Sequence, residues 1–194
     1  MFKSHVRSLR KALQREEVRS ISRRYFISNG FDGTLTAIGI TVGSYLSGVP
    51  DGMTVVKVGA GAAVGLSTSG LWSVWEIERA EKLADLRDKE EAMLEDLKES
   101  RVWEKKEEGR RVNAVLSGLG PLLAMSLIIF PFALEELYIS MLQATVASVA
   151  VGIGVLFAFG SYMGEISKQK WWKAGLRMGL AGLVVALINI LLPG

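Results

Sequence analysis

The chain has 194 residues, 49% of them hydrophobic, with 21 glycines and a mean hydropathy of +0.29, which suits a polytopic membrane protein better than a water-soluble domain. There is no cysteine, so disulfides, thiolate metal sites and cysteine nucleophiles are excluded, and the single histidine, His5, lies in a basic N-terminal tail. The net charge of +3 conceals a segregation: residues 1–24 carry eight Lys or Arg against Glu16 and Glu17, whereas residues 76–111 carry thirteen acids and ten bases. Because the positive excess sits beside an apolar run, it follows the positive-inside pattern of membrane proteins and argues against a nucleic-acid partner.

Residues 1–24 set Phe2, Val6, Leu9 and Leu13 at helical spacing among bases, the pattern of a basic amphipathic helix on the cytoplasmic membrane surface; a plain cytoplasmic tail is the alternative. Residues 25–49 form a first apolar run, long enough to cross a bilayer. A turn-rich connection at Pro50-Asp51-Gly52 leads to a second run, 53–75, whose only charge is Lys57 near one end. Residues 76–111 read as a charged helical insert that belongs in water. A third run, 112–134, carries Pro121 and Pro131; a fourth covers about 137–163, and a fifth starts at Trp171-Trp172.

The fold expected is therefore all-α and polytopic, with five transmembrane helices and a cytoplasmic helical insert between spans two and three. Its segments are 1–24, 25–75, 76–111 and 112–194. The Lys/Arg distribution places the N-terminus in the cytosol and the C-terminus outside; the membrane expected is the cell membrane of a prokaryote. Glycines four apart at Gly39/Gly43, Gly61/Gly65, Gly160/Gly164 and Gly175/Gly179 allow close helix packing, within one chain or between copies.

One carboxylate, Asp32, lies inside the first run, roughly 12 Å beyond Arg24 at ~1.5 Å per residue. An acid at that depth is costly unless it meets a cavity, a partner or an ion. Counted from the charged end of the second run, Ser67, Thr68 and Ser69 fall at the same depth. Their hydroxyls either join Asp32 as oxygen ligands for a hard or borderline divalent cation, or bond back to their own helix. In the insert, Glu78 and Glu81, then Glu91, Glu95 and Glu99, line helix faces that could attract a cation; Lys82, Arg87, Lys89 and Lys98 could equally neutralise them in ordinary helix pairs.

The stretch RYFISNGFDGTLTAIGITVG, 24–43, resembles the first span of the vacuolar iron transporter family, whose signature is an Asn-Asp-Gly triplet before a Thr/Ser-rich, glycine-punctuated helix. Asp32-Gly33 match it, with Phe31 in the Asn place, and Gly70 and Leu66 stand where the family's second span carries Glu and Met. The order of five spans with a charged insert fits as well. The resemblance implies a homodimer that exports Fe²⁺ or Mn²⁺ from the cytosol in exchange for protons, with Asp32 in the path, the divalent ion as substrate and no tightly bound cofactor. The alternative is a non-transporting membrane scaffold that dimerises or binds partners through its charged helix. An intramembrane enzyme is disfavoured, since the usual nucleophile and base pairs are missing.

Overall fold

The computed structural model describes residues 13–93, 101–135 and 138–191, and among them every regular element is helical. Helix α1 (Glu16–Leu46) opens with Glu16 and Glu17 in its first turn, where negative charge complements the helix dipole. It runs unbroken through Arg24 and Tyr25, so residues 16–24 are the first turns of the same helix that carries the first apolar run. It ends where Gly48 adopts φ +67° and the Ser47, Gly48 and Val49 amides fold back onto the last carbonyls.

Helix α2 (Gly52–Met93) has 42 residues and is roughly 63 Å long at ~1.5 Å per residue, about twice the thickness of a bilayer core. The second apolar run and the first part of the charged insert are therefore one helix. No glycine or proline separates Gly70 from Met93, and Ala, Leu, Glu, Lys and Arg dominate the charged half, so nothing ends the helix at the polarity change. Two carboxylates cap its start. Asp51 accepts from the Thr54 amide at 2.7 Å and hydroxyl at 2.9 Å, and Glu135 accepts from the Gly52 amide at 3.0 Å.

Helix α3 (Arg101–Ile129) begins in the insert and continues through Pro121 into a short 3₁₀ segment (Phe130–Leu134), which Pro131 opens. Helix α4 (Met141–Ile166) starts with a reciprocal Ser140–Gln143 capping box, and α5 (Trp171–Leu191) closes the bundle. Among the described residues, three helices are long and apolar enough to cross a membrane, Lys106–Leu134, Met141–Ile166 and Trp171–Leu191. In α1 and the first half of α2, glycine and hydroxyl residues dilute the apolar run.

Helix α1 is central: it packs chiefly on α3 and also touches α4 and α5, while α2 leans on α3 and α4 pairs with α5. Ala37, Ala63, Met125 and Ile128 form one core between α1, α2 and α3, and Ile38, Val42, Leu156 and Ala186 a second between α1, α4 and α5. Glycines permit the close crossings. A Cβ on Gly33 would lie 2.8 Å from Pro121, and one on Gly160 would lie 2.5 Å from the Ala174 carbonyl oxygen.

Candidate functional site

The apolar core fixes which way α1 turns its polar side chains. Gly30, Gly33, Thr34, Ala37 and Ile38 are buried, whereas Ser28, Asp32 and Thr36, one turn apart, are exposed on the opposite side. The Asp32 carboxylate thus faces outward from the single chain. Thr34 and Thr36 donate to the carbonyls of Gly30 and Asp32, each at 2.8 Å, and Thr41 to that of Ile38 at 3.0 Å, so these hydroxyls are satisfied within their own helix.

Gly70 of α2 lies against Asn29 of α1, since a Cβ there would sit 3.1 Å from Asn29 Nδ2. One turn further from the charged end in both helices brings Asp32 and Ser67 to the same level. The three hydroxyl residues do not share one face of the helix, however. Ser67 turns towards α3: its carbonyl oxygen would be 2.8 Å from a Cβ on Gly118, and its Oγ is buried without a hydrogen-bond partner. Thr68 and Ser69 are exposed, as about 100° of rotation per residue requires. Near them the outer surface of α2 is open, and a Cβ on Gly61 or Gly65 would meet nothing within 4 Å; the same holds for Gly43 on α1.

A second polar region lies at the charged end. A cavity of about 600 Å³ opens between the start of α1, the far half of α2 and the start of α3, and Glu17, Glu78, Glu81, Asp85, Lys82 and Lys106 line it. Two of its acids, Glu78 and Asp85, are paired with bases. Glu78 is buried with Lys82 Nζ 3.1 Å away, and Lys82 also donates to the Lys106 carbonyl at 2.7 Å. Asp85 accepts from Lys106 and, at 3.0 Å, from Lys89. Those two hydrogen bonds, the one from Lys106 foremost, hold its carboxyl below the usual carboxylate range, and the bond to Asp85 raises Lys89. Nearby, Arg15 pairs with Glu108 at 3.0 Å, and buried Arg110 lies 4.0 Å above the Trp75 ring and pairs with Glu107 at 2.7 Å.

Glu81 and Glu91 are exposed, and Glu95 and Glu99 lie outside the described residues. Among the described residues of one chain, no three His, Asp or Glu side chains converge as a metal cluster. Sequence reasoning passed over Asn29 and Ser117, which form a polar bridge from α1 to α3. Asn29 Nδ2 donates to Ser117 Oγ at 2.5 Å, and that hydroxyl donates to the Gly70 carbonyl at 2.8 Å. The available signal was Pro121, which frees a carbonyl four residues back, at Ser117.

Apolar helices of spanning length, a central helix with an outward-facing carboxylate and a charged helical extension define an integral membrane protein. Residues 72–193, over half of the chain, match the model of the VIT family, and the chain belongs to that family, the vacuolar iron transporters. Members of the family are membrane metal transporters rather than enzymes. The matched region covers the charged extension and α3 to α5 and begins beyond Asp32. The uncharacterized protein MJ0645 of Methanocaldococcus jannaschii is 25% identical over 168 residues, 85% of each chain. No solved structure matches the chain.

Proposed function

We propose that the chain exports Fe²⁺ or Mn²⁺ from the cytosol in exchange for protons, working as a homodimer in the cell membrane with its N-terminus in the cytosol, all five helices crossing the bilayer and Asp32 in the translocation path. The observation that carries this reading is the outward placement of Asp32 on α1, with the uncovered glycines Gly61 and Gly65 on α2. A carboxylate facing oil alone is costly, and a second copy on this face would cover it and bring a second Asp32 to the same level. Two carboxylates with water suit a hard or borderline divalent ion, and each can take up a proton once the ion has left. Glu81, Glu91, Glu95 and Glu99 would raise the local cation concentration at the charged end, and Thr68 and Ser69 would supply further oxygens on the outer face.

The test is flux of Mn²⁺ and Fe²⁺ in proteoliposomes under an imposed proton gradient. Asp32→Asn is expected to abolish metal-driven proton movement while the variant elutes and melts as the native protein does. Undiminished flux in Asp32→Asn removes the assigned path.

A further inference from the structure

We infer that the groove between α1, α3 and α4 at the charged end holds an acyl chain of an anionic phospholipid, with the lipid phosphate seated on Arg19 and Arg23. This inference rests on the placement of α3 and α4 in the membrane and is independent of what the protein carries. The groove encloses about 470 Å³, and its walls are mainly apolar, with Phe26, Leu116, Ala158 and Phe159 among them. Phe26 and Phe159 meet edge to face, with ring centroids 6.0 Å apart at 80°. Phe159 lies in α4 seven residues before Ile166, roughly 10 Å from the helix end, which is the depth of the first acyl carbons below the headgroups.

At the mouth stand Arg19 and Arg23, one turn apart on the same side of α1. Three other guanidinium groups at this end are engaged with acids: Arg15 with Glu108, Arg79 with Glu76 and Arg110 with Glu107. Neither Arg19 nor Arg23 has an acidic partner among the described residues. Two cations with no acidic partner among the described residues, above a greasy slot at the headgroup level, match a ligand with one anionic head and a long apolar tail. The chain's own residues 1–12 carry Lys3, Arg7, Arg10 and Lys11 and no acid, so that segment offers the two arginines no counter-charge. A zwitterionic lipid would fill the slot and leave the arginines without net compensation.

Native mass spectrometry of the detergent-solubilised full chain, titrated with dioleoyl phosphatidylglycerol or dioleoyl phosphatidylcholine, reads this directly. The native protein is expected to retain phosphatidylglycerol about tenfold better than phosphatidylcholine. The variant Arg19→Gln/Arg23→Gln should lose that preference. Ala158→Trp, which fills the groove and leaves both arginines, should lower retention of phosphatidylglycerol as well, and circular dichroism would confirm that both variants are folded. Equal retention of the two lipids by the native chain, native behaviour of either variant, or thermal protection by inorganic phosphate equal to that by phosphatidylglycerol would each overturn the assignment.

Discussion

Asn29 on α1 reaches across to Ser117 on α3 and donates to both its hydroxyl and its carbonyl oxygen, the latter at 3.4 Å. That carbonyl is the one Pro121 leaves without a helical donor, because proline has no N–H to return to the residue four before it. The bridge therefore lets a proline sit inside a spanning helix, and Gly33 makes room for its ring. Asn29→Ala is expected to cost about 1 kcal/mol, within the range of interhelical hydrogen bonds in membranes. The cost should shrink in a Pro121→Ala background, where the helix supplies its own donor. A double-mutant cycle by reversible unfolding in mixed micelles measures the coupling; strictly additive costs would detach Asn29 from Pro121.

Glycines spaced alike differ sharply in what surrounds them. Gly160 and Gly175 are pressed between α4 and α5, where even a methyl group would overlap the Ala174 carbonyl or the Ser161 hydroxyl, whereas Gly61 and Gly65 face open space in the single chain. Gly160→Ala and Gly175→Ala should lower the melting temperature. Gly61→Leu and Gly65→Leu should leave the melting of the single chain unchanged or slightly raised, since leucine favours helix over glycine by roughly 0.8 kcal/mol. If the open face is where two copies meet, the same leucines will convert a dimer to a monomer in light scattering. A protein that stays dimeric with both leucines present pairs through another face.

The order of apolar runs could be read from the sequence because period and length alone decide it. The orientation of Asp32 could not. Counting residues gives its depth, but whether it points into the bundle depends on which neighbours α1 packs against, and those lie about ninety residues away at Ser117 and Pro121. Depth alone groups Ser67, Thr68 and Ser69, and helix rotation separates them. The abrupt change of charge at Glu76 marks the insert as a block of its own in the sequence. Helix propensity does not change there, so α2 runs on. The pairing of Glu78 with Lys82 and of Asp85 with Lys89 was open to sequence reasoning, because it is local, i to i+4.

The Asp85 cluster should make the charged extension sensitive to acid. Bonding to Lys106 and Lys89 depresses the folded-state pKa of Asp85, so its contribution to stability is complete above the ordinary carboxylate range and is lost as pH falls through the lower folded value. Lys89, raised by the same contact, contributes below the ordinary ammonium range and loses that contribution only in strong alkali. Amide exchange in residues 80–93 should therefore quicken below the ordinary carboxylate range once corrected for intrinsic rates. The step should be much smaller in Asp85→Asn, while α5 stays protected throughout. An unaltered step in that variant assigns the acid sensitivity to a different carboxylate.

Lys82 occupies the position at Glu78 that a cation arriving from the charged end would need. The Glu78 carboxylate is buried, and the ammonium 3.1 Å away already neutralises it, so an ion can bind there only by displacing Lys82, whose Nζ is further held by the Lys106 carbonyl. Lys82→Met keeps an unbranched apolar side chain and removes the charge. Without metal, the unpaired buried carboxylate should destabilise the variant by about 3 kcal/mol, the usual consequence of removing one member of a buried pair. With Mn²⁺ at roughly a hundred times its dissociation constant, binding to the folded state should restore about 2.7 kcal/mol. Calorimetric titration should accordingly find Mn²⁺ bound at least about tenfold more tightly by Lys82→Met than by the native chain, because a repelling unit charge has left the cavity. Lys82→Met/Glu78→Gln should lose both the destabilisation and the gain in affinity. If Lys82→Met takes up Mn²⁺ no better than the native chain, Glu78 is a structural acid and the cation enters through the exposed carboxylates alone.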